Sequence, residues 1–303
     1  MALVVNTNVT SMKVNNNLNR ATDRAATAME RMSTGYKINR AADDAAGFMI
    51  AKGLETQISG SQIAADNAQN AISILTTAEG VLDTIQDNLL RMRDLTLQAM
   101  NGGYSAAEVK ALQDETQARA AEIDRQSKAS TFNQFKIFDE DREASEEFVI
   151  QVGTKADKDT NTISITDVFY SATLSSLTEK ASESGGETIS GYSEGTNFIS
   201  FLNDDDTTKD YEDLGKILNA LDHAINEVSS RRGIIGSTTN RLNSSIDAMT
   251  IQEENLSAAH SRIMDADIAE ESSEYTKQYI LQQASASLLT QANQTPSLAL
   301  SLI

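Results

Sequence analysis

The chain has 303 residues, with no Cys, no Trp, a single Pro and a net charge of −19. This excludes disulfides and thiolate metal sites, and it lets helices run unbroken. Seven Tyr and eight Phe are few for a large globular core but suit long Ala- and Gln-rich helices. Residues 139–213 hold nineteen Asp and Glu against five Lys and Arg, whereas residues 1–40 carry a net +4 and residues 261–303 a net −3. The two ends are therefore complementary, and the acidic middle argues against nucleic-acid binding there.

The opening shows no basic region ahead of its short apolar run, and no window approaches the length of a membrane span. Residues 1–34 then read as an amphipathic helix with Val14, Leu18, Ala21, Ala25, Ala28 and Met32 on one seam, stopped by Gly35. This seam is rich in small residues and gains little from burial inside one copy, so it is expected to be buried only against other copies. Asp43 and Asp44 stand before an apolar helical run. A carboxylate pair there could serve acid and base chemistry, but with no His, Cys or third acid nearby they read as a helix start.

Residues 61–100 show two heptad rows, Ala68, Leu75, Leu82 and Leu89 in one and Ile85, Met92 and Ala99 in the other. Asn101, Gly102 and Gly103 make the turn that follows. A third, antiparallel helix over 105–127 should begin with a capping box of Ser105 and Glu108 and turn Val109, Leu112, Ala120 and Ile123 inward. Phe132, Phe135, Ile137 and Phe138 cluster next, and alternation in 148–152 and 162–166 predicts a β-hairpin. Residues 178–210, rich in Ser, Gly and acids, read as a variable surface segment.

From 214 to 263 an apolar residue returns at every seventh position: Leu214, Leu221, Val228, Ile235, Leu242, Met249, Leu256 and Ile263. The companion row is read through Leu218, Ile225 and Ile246 and is interrupted by Arg232, Thr239, Glu253 and His260. The stripe is too narrow for a two-stranded coiled coil and points to one member of a larger bundle. The last segment resumes helical spacing with Leu281, Ala284, Leu288 and Ala292, and ends in an apolar tip of Leu298, Leu300, Leu302 and Ile303 that calls for burial in a partner. His223 and His260, the only histidines, have no clustered ligands, so no metal, cofactor or catalytic site is expected. The sequon at Asn243 falls on a helix and carries little weight.

Five ordered blocks resemble bacterial flagellin: LVVNTNVTSMKVNNNL, RMSTGYKINRAADDAAGFMIA, the run from NAQNAISIL to LTLQA, STFNQFKIF, and SRIMDADIAEESS through to the end. Gln134 stands where the family's Phe-Asn-Gly turn has Gly. The resemblance implies a mainly α fold, a long coiled-coil-like rod built from both chain ends, with a small β-hairpin and a short variable insert. It divides the chain into a terminal assembly domain (1–42 and 262–303), a rod domain (43–177 and 211–261) and a variable segment (178–210).

The same resemblance implies a non-enzymatic subunit that polymerises with copies of itself into the extracellular flagellar filament used for swimming. Its further implications are export through the flagellar secretion channel, a cytoplasmic export chaperone on about 265–303, and contact with cap and hook-filament junction proteins. A hook-filament junction protein of the same superfamily is the alternative. A face sensed by a Toll-like receptor in some flagellins maps to Arg91, Leu95 and Glu115, with Leu90 where recognised members carry Gln.

Overall fold

The computed structural model describes residues 7–139, 141–142, 146–183, 201 and 211–300. In chain order the elements are helices α1 (Val9–Thr34), α2 (Ala45–Ala99) and α3 (Ala106–Ala129), then strands β1 (Thr131–Phe132), β2 (Phe135–Lys136) and β3 (Phe148–Gln151). They are followed by the single turn α4 (Lys158–Asn161), strand β4 (Thr162–Ile165), and helices α5 (Leu174–Glu183), α6 (Tyr211–Met264) and α7 (Ile268–Leu300). The expected mainly α fold is the one found, with two small hairpins among the described residues where one was expected. The chain forms two compact units, Met1–Ser59 with Gln252–Ile303, and Gly60–Ile251.

In the unit from Gly60 to Ile251 the core is built on heptad rows. Along α2, Ala68, Leu75, Leu82 and Leu89 are buried in one row and Ala64, Ala71, Ala78, Ile85, Met92 and Ala99 in the other. Positions at gaps of three and four share one face of a helix, so both rows point into one seam. Opposite them α6 runs antiparallel: Arg93 bonds Asp222, and Arg232 reaches Gln86 and Asp83. Helix α3 is antiparallel to α2 as well, through Thr84 with Gln126 and Asn88 with Arg119. Its start carries the expected capping box, with Ser105 and Glu108 each accepting from the other's backbone amide.

Three expectations change here. The helix expected to start after Asp44 and the heptad-patterned stretch from 61 are one helix of 55 residues, Ala45–Ala99. In its first turns Met49 is 75% exposed while Ala51 alone is buried, so no heptad row marks that stretch. Next, the buried companion row of α6 is not Leu218, Ile225 and Ile246, which are half-buried, but Ile217, Ala224, Arg231 and Thr238. It lies one residue earlier and is hidden by its Ala, Arg and Thr. Finally, residues 178–183, read as part of a surface segment, belong to α5. There Leu174 and Leu177 are buried, and the Leu174 amide donates to Asp124 Oδ1 at 2.9 Å. The remainder of 178–210, apart from buried Phe201, lies outside the described residues.

The two hairpins close this unit. Strands β3 and β4 pair antiparallel with Phe148 opposite Ile165 and Ile150 opposite Ile163, as their alternation requires. Phe148 packs on Phe169 and Phe135 at 4.8 and 5.5 Å between ring centroids, which joins the second hairpin to the first. In the first hairpin Phe132 faces Phe135 across Asn133 and Gln134, both in the left-handed region at φ 45° and 70°. A two-residue turn with both centres left-handed matches the twist of its strands, and Asn-Gly is its favoured sequence. Gln134 therefore bears strain that Gly would not. Gln134→Gly should raise the stability of the unit by about 0.5–1 kcal/mol, read from the urea midpoint.

Arg231 is fully buried. Its guanidinium stacks 3.6 Å from the centroid of Tyr170, Nε donates to Glu227 at 3.2 Å, and Nη1 donates to the carbonyls of Tyr170 and Ser171. The Tyr170 hydroxyl donates to the same Glu227 carboxylate. Nη2 is buried without a hydrogen-bond partner among the described residues. This cluster pins the chain after β4 onto α6.

Candidate assembly surface

In the unit made of the chain ends, α1 and α7 lie antiparallel. Asn8 donates to the Ala292 carbonyl, Ser11 to Asn293, Gln282 to Thr22, and Arg31 forms an ion pair with Glu271 at 3.0 Å. Gly35 caps α1 at φ 75°, in a left-handed conformation that costs glycine little, and its amide closes on the Arg31 carbonyl. The chain then crosses to the end of α6, where Lys37 donates to the Met264 carbonyl and Ala266 to that of Gly35. Beneath this crossing Ile38, Ala51 and Met264 form a small core.

Asp43 and Asp44 serve the turn. Asp43 accepts from the amide of Arg40 and then that of Asn39, which hold its carboxyl below the ordinary value, and Asp44 accepts from Gly47 at the start of α2. Charge complementarity between the ends is seen directly in the Arg31–Glu271 pair. Glu274 is also held low, first by the hydrogen bond from Gln278, then by Lys277, with a smaller contribution from Arg24. Among the described residues no group of three or more His, Cys, Asp and Glu could hold a metal ion, and no helix is long and apolar enough to cross a membrane.

On α1, Ala21, Ala25 and Ala28 of the expected row are buried and Val14, Leu18 and Met32 half-buried. It is buried against α7 within one copy, contrary to the expectation that it would need others. Ala side chains let the two helices approach closely enough for polar α7 residues to seal the contact.

On α7 the expected row divides. Ala292 is buried, but Leu281 and Leu288 are 45% and 58% exposed and Ala284 is exposed too. The residues turned toward α1 are mostly polar, with Gln278 buried and Glu271, Glu274, Gln282, Ser285 and Leu289 half-buried. The apolar row lies roughly 80° around the helix from them, and the neighbouring Ile280 is exposed as well. Leu302 and Ile303 lie outside the described residues, as do the side chains of Leu298 and Leu300.

On the other unit the structure brings Leu90, Arg91 and Glu115 to the surface, Arg91 bonding Glu115 at 3.1 Å, but it buries Leu95 completely. Leu95 cannot belong to an accessible face, because it falls on the inward side of α2 beside Thr96. Arg91, and then Arg119, hold the Glu115 carboxyl below its ordinary value. A depressed carboxylate contributes stability that is present above the unfolded value and lost as pH falls through the folded one. Glu115→Gln should therefore flatten the fall of the unfolding midpoint below about pH 4.3, measured by circular dichroism across pH.

Long helices from both chain ends, small hairpins and an uncovered apolar row on the last helix define a mainly α-helical protein. Residues 5–143 match the bacterial flagellin N-terminal helical region and residues 218–303 the bacterial flagellin C-terminal helical region. Flagellin of Bacillus subtilis (strain 168) is 36% identical over 319 residues, covering 99% of each chain. Flagellin of Halalkalibacterium halodurans is 33% identical over 301 residues, covering 99% of this chain and 100% of that one. The flagellar filament 33 kDa core protein of Treponema phagedenis is 33% identical over 308 residues, with the same coverage. The chain belongs to the bacterial flagellin family and is a structural component of the flagellar filament.

Proposed function

We propose that this chain is the repeating subunit of a helical flagellar filament that drives swimming, and that it acts by polymerisation rather than catalysis. The observation that carries the reading is the exposed row Leu281, Ala284 and Leu288 on α7, next to Ile280. An apolar stripe left open beside a polar, sealed contact calls for a protein partner. Contacts between unlike faces of successive copies do not close on themselves and so give an open helix.

The same proposal has the subunit exported through the flagellar secretion channel, held beforehand by a chaperone on the C-terminal helix, and added at a capped tip to a filament begun at the hook junction. The terminal assembly domain (1–42 and 262–303), the rod domain (43–177 and 211–261) and the variable segment (178–210) divide these tasks. The surface of Leu90, Arg91 and Glu115 is assigned to neighbouring subunits. Toll-like receptor activation by purified monomer on receptor-bearing cells would give that surface a second role. Seeding purified protein with filament fragments tests the main reading by negative-stain microscopy. Smooth thin filaments are the expected result, and a solution that stays monomeric under all seeding conditions would overturn it.

A further inference from the structure

The paired terminal helices are charged asymmetrically along their length. Lys13 and Arg20 are the only charged residues in 7–22 and 278–300, and the acids of α7 are confined to its start. Lys13, Arg20, Arg24 and Arg31 fall within roughly 40° of one another on α1, at 100° per residue. Two of the four meet carboxylates inside the chain, Arg31 at Glu271 and Arg24 in the field of Glu274, while Lys277 is paired with Glu274 at 3.0 Å. Lys13 and Arg20 are exposed and have no ion pair among the described residues, and neither has Glu270 in the first turn of α7.

Helix geometry puts these unanswered charges on one side of the pair. Given the antiparallel arrangement, the cationic row of α1 and the row Glu270, Leu281 and Leu288 of α7 both flank the α1–α7 contact on the same side. That side carries free cations and exposed leucines toward one end and a free carboxylate at the other.

We propose that the flank bearing Lys13, Arg20, Leu281 and Leu288 seats against the Glu270 end of a second copy, displaced along the helix pair by roughly 20–30 Å at 1.5 Å per residue. The proposal rests on the filament reading and adds the register. The leucines supply the buried contact, and the charges select one stagger among the many that an apolar stripe alone would accept. With the copies parallel and offset, the Glu270 end of the first copy is left open to a further copy, so the contact propagates without closing.

Charge reversal in the full chain tests it. Lys13→Glu with Arg20→Glu should lower the fraction pelleted after seeding by roughly tenfold at low salt, and Glu270→Lys should lower it in the same direction. Since each copy carries both surfaces, the triple variant restores opposite signs across the contact and should recover most of the loss. Lys13→Gln with Arg20→Gln should give a smaller loss that no longer varies with salt. Circular dichroism of each variant separates assembly from folding.

A triple variant no better than the double, or a double variant that pellets like the wild type, would overturn the register. Failure of the wild-type chain to polymerise would instead overturn the filament reading.

Discussion

Arg231→Met is expected to cost the unit from Gly60 to Ile251 about 3–5 kcal/mol, the usual penalty for removing one partner of a buried pair. The side chain is fully enclosed, and its removal takes a donor from three acceptors at once, the Glu227 carboxylate and the carbonyls of Tyr170 and Ser171, although Glu227 keeps the Tyr170 hydroxyl and Ser171 that of Ser176. Methionine fills much of the volume, so the loss reports polar groups left unanswered rather than an empty cavity.

Glu227→Gln should cost less, because that carboxylate is one-quarter exposed and a neutral amide can still accept from both Tyr170 and Arg231. Tyr170→Phe removes one donor and keeps the ring under the guanidinium, so it should cost least of the three. The order is read from urea unfolding of the three variants. An Arg231→Met loss below about 1 kcal/mol would mean that the cluster is not a clamp.

Arg231 also marks the limit of reading this fold from its residues. The row from Leu214 to Met249 is legible because every member is large and apolar, and it is buried as expected. Its partner row contains Ile217, Ala224, Arg231 and Thr238 and is invisible to any search for repeated apolar residues. Arg231 is accommodated there by Tyr170 and Glu227, the first of which lies some sixty residues away in sequence.

The early part of α2 fails for the opposite reason. It is helical with little to bury, so helix is present without periodicity. On α7 the apolar row is real but faces outward, because Ala21, Ala25 and Ala28 accept polar residues such as Gln278 at close range. On the proposed filament reading, the departures on α7 are the ones that a second copy would cover.

Those departures give the second large effect. Leu281→Asp with Leu288→Asp should leave the monomer's unfolding midpoint nearly unchanged, since both side chains are about half exposed and neither faces α1. In a filament the same carboxylates would be taken out of water without partners. The critical concentration should then rise by at least about a hundredfold, equivalent to about 2.8 kcal/mol per added subunit.

Ala25→Leu is the informative contrast. It overpacks the α1–α7 seam inside one copy, so it should weaken folding of the terminal unit and assembly together. Sedimentation of seeded reactions, with circular dichroism of the same samples, separates the two outcomes. If the aspartate pair assembles at the wild-type critical concentration, the exposed row of α7 is ordinary surface and another face of the chain carries the contact between copies. If it fails while its monomer stays folded, folding and polymerisation are carried by different faces of the same helix.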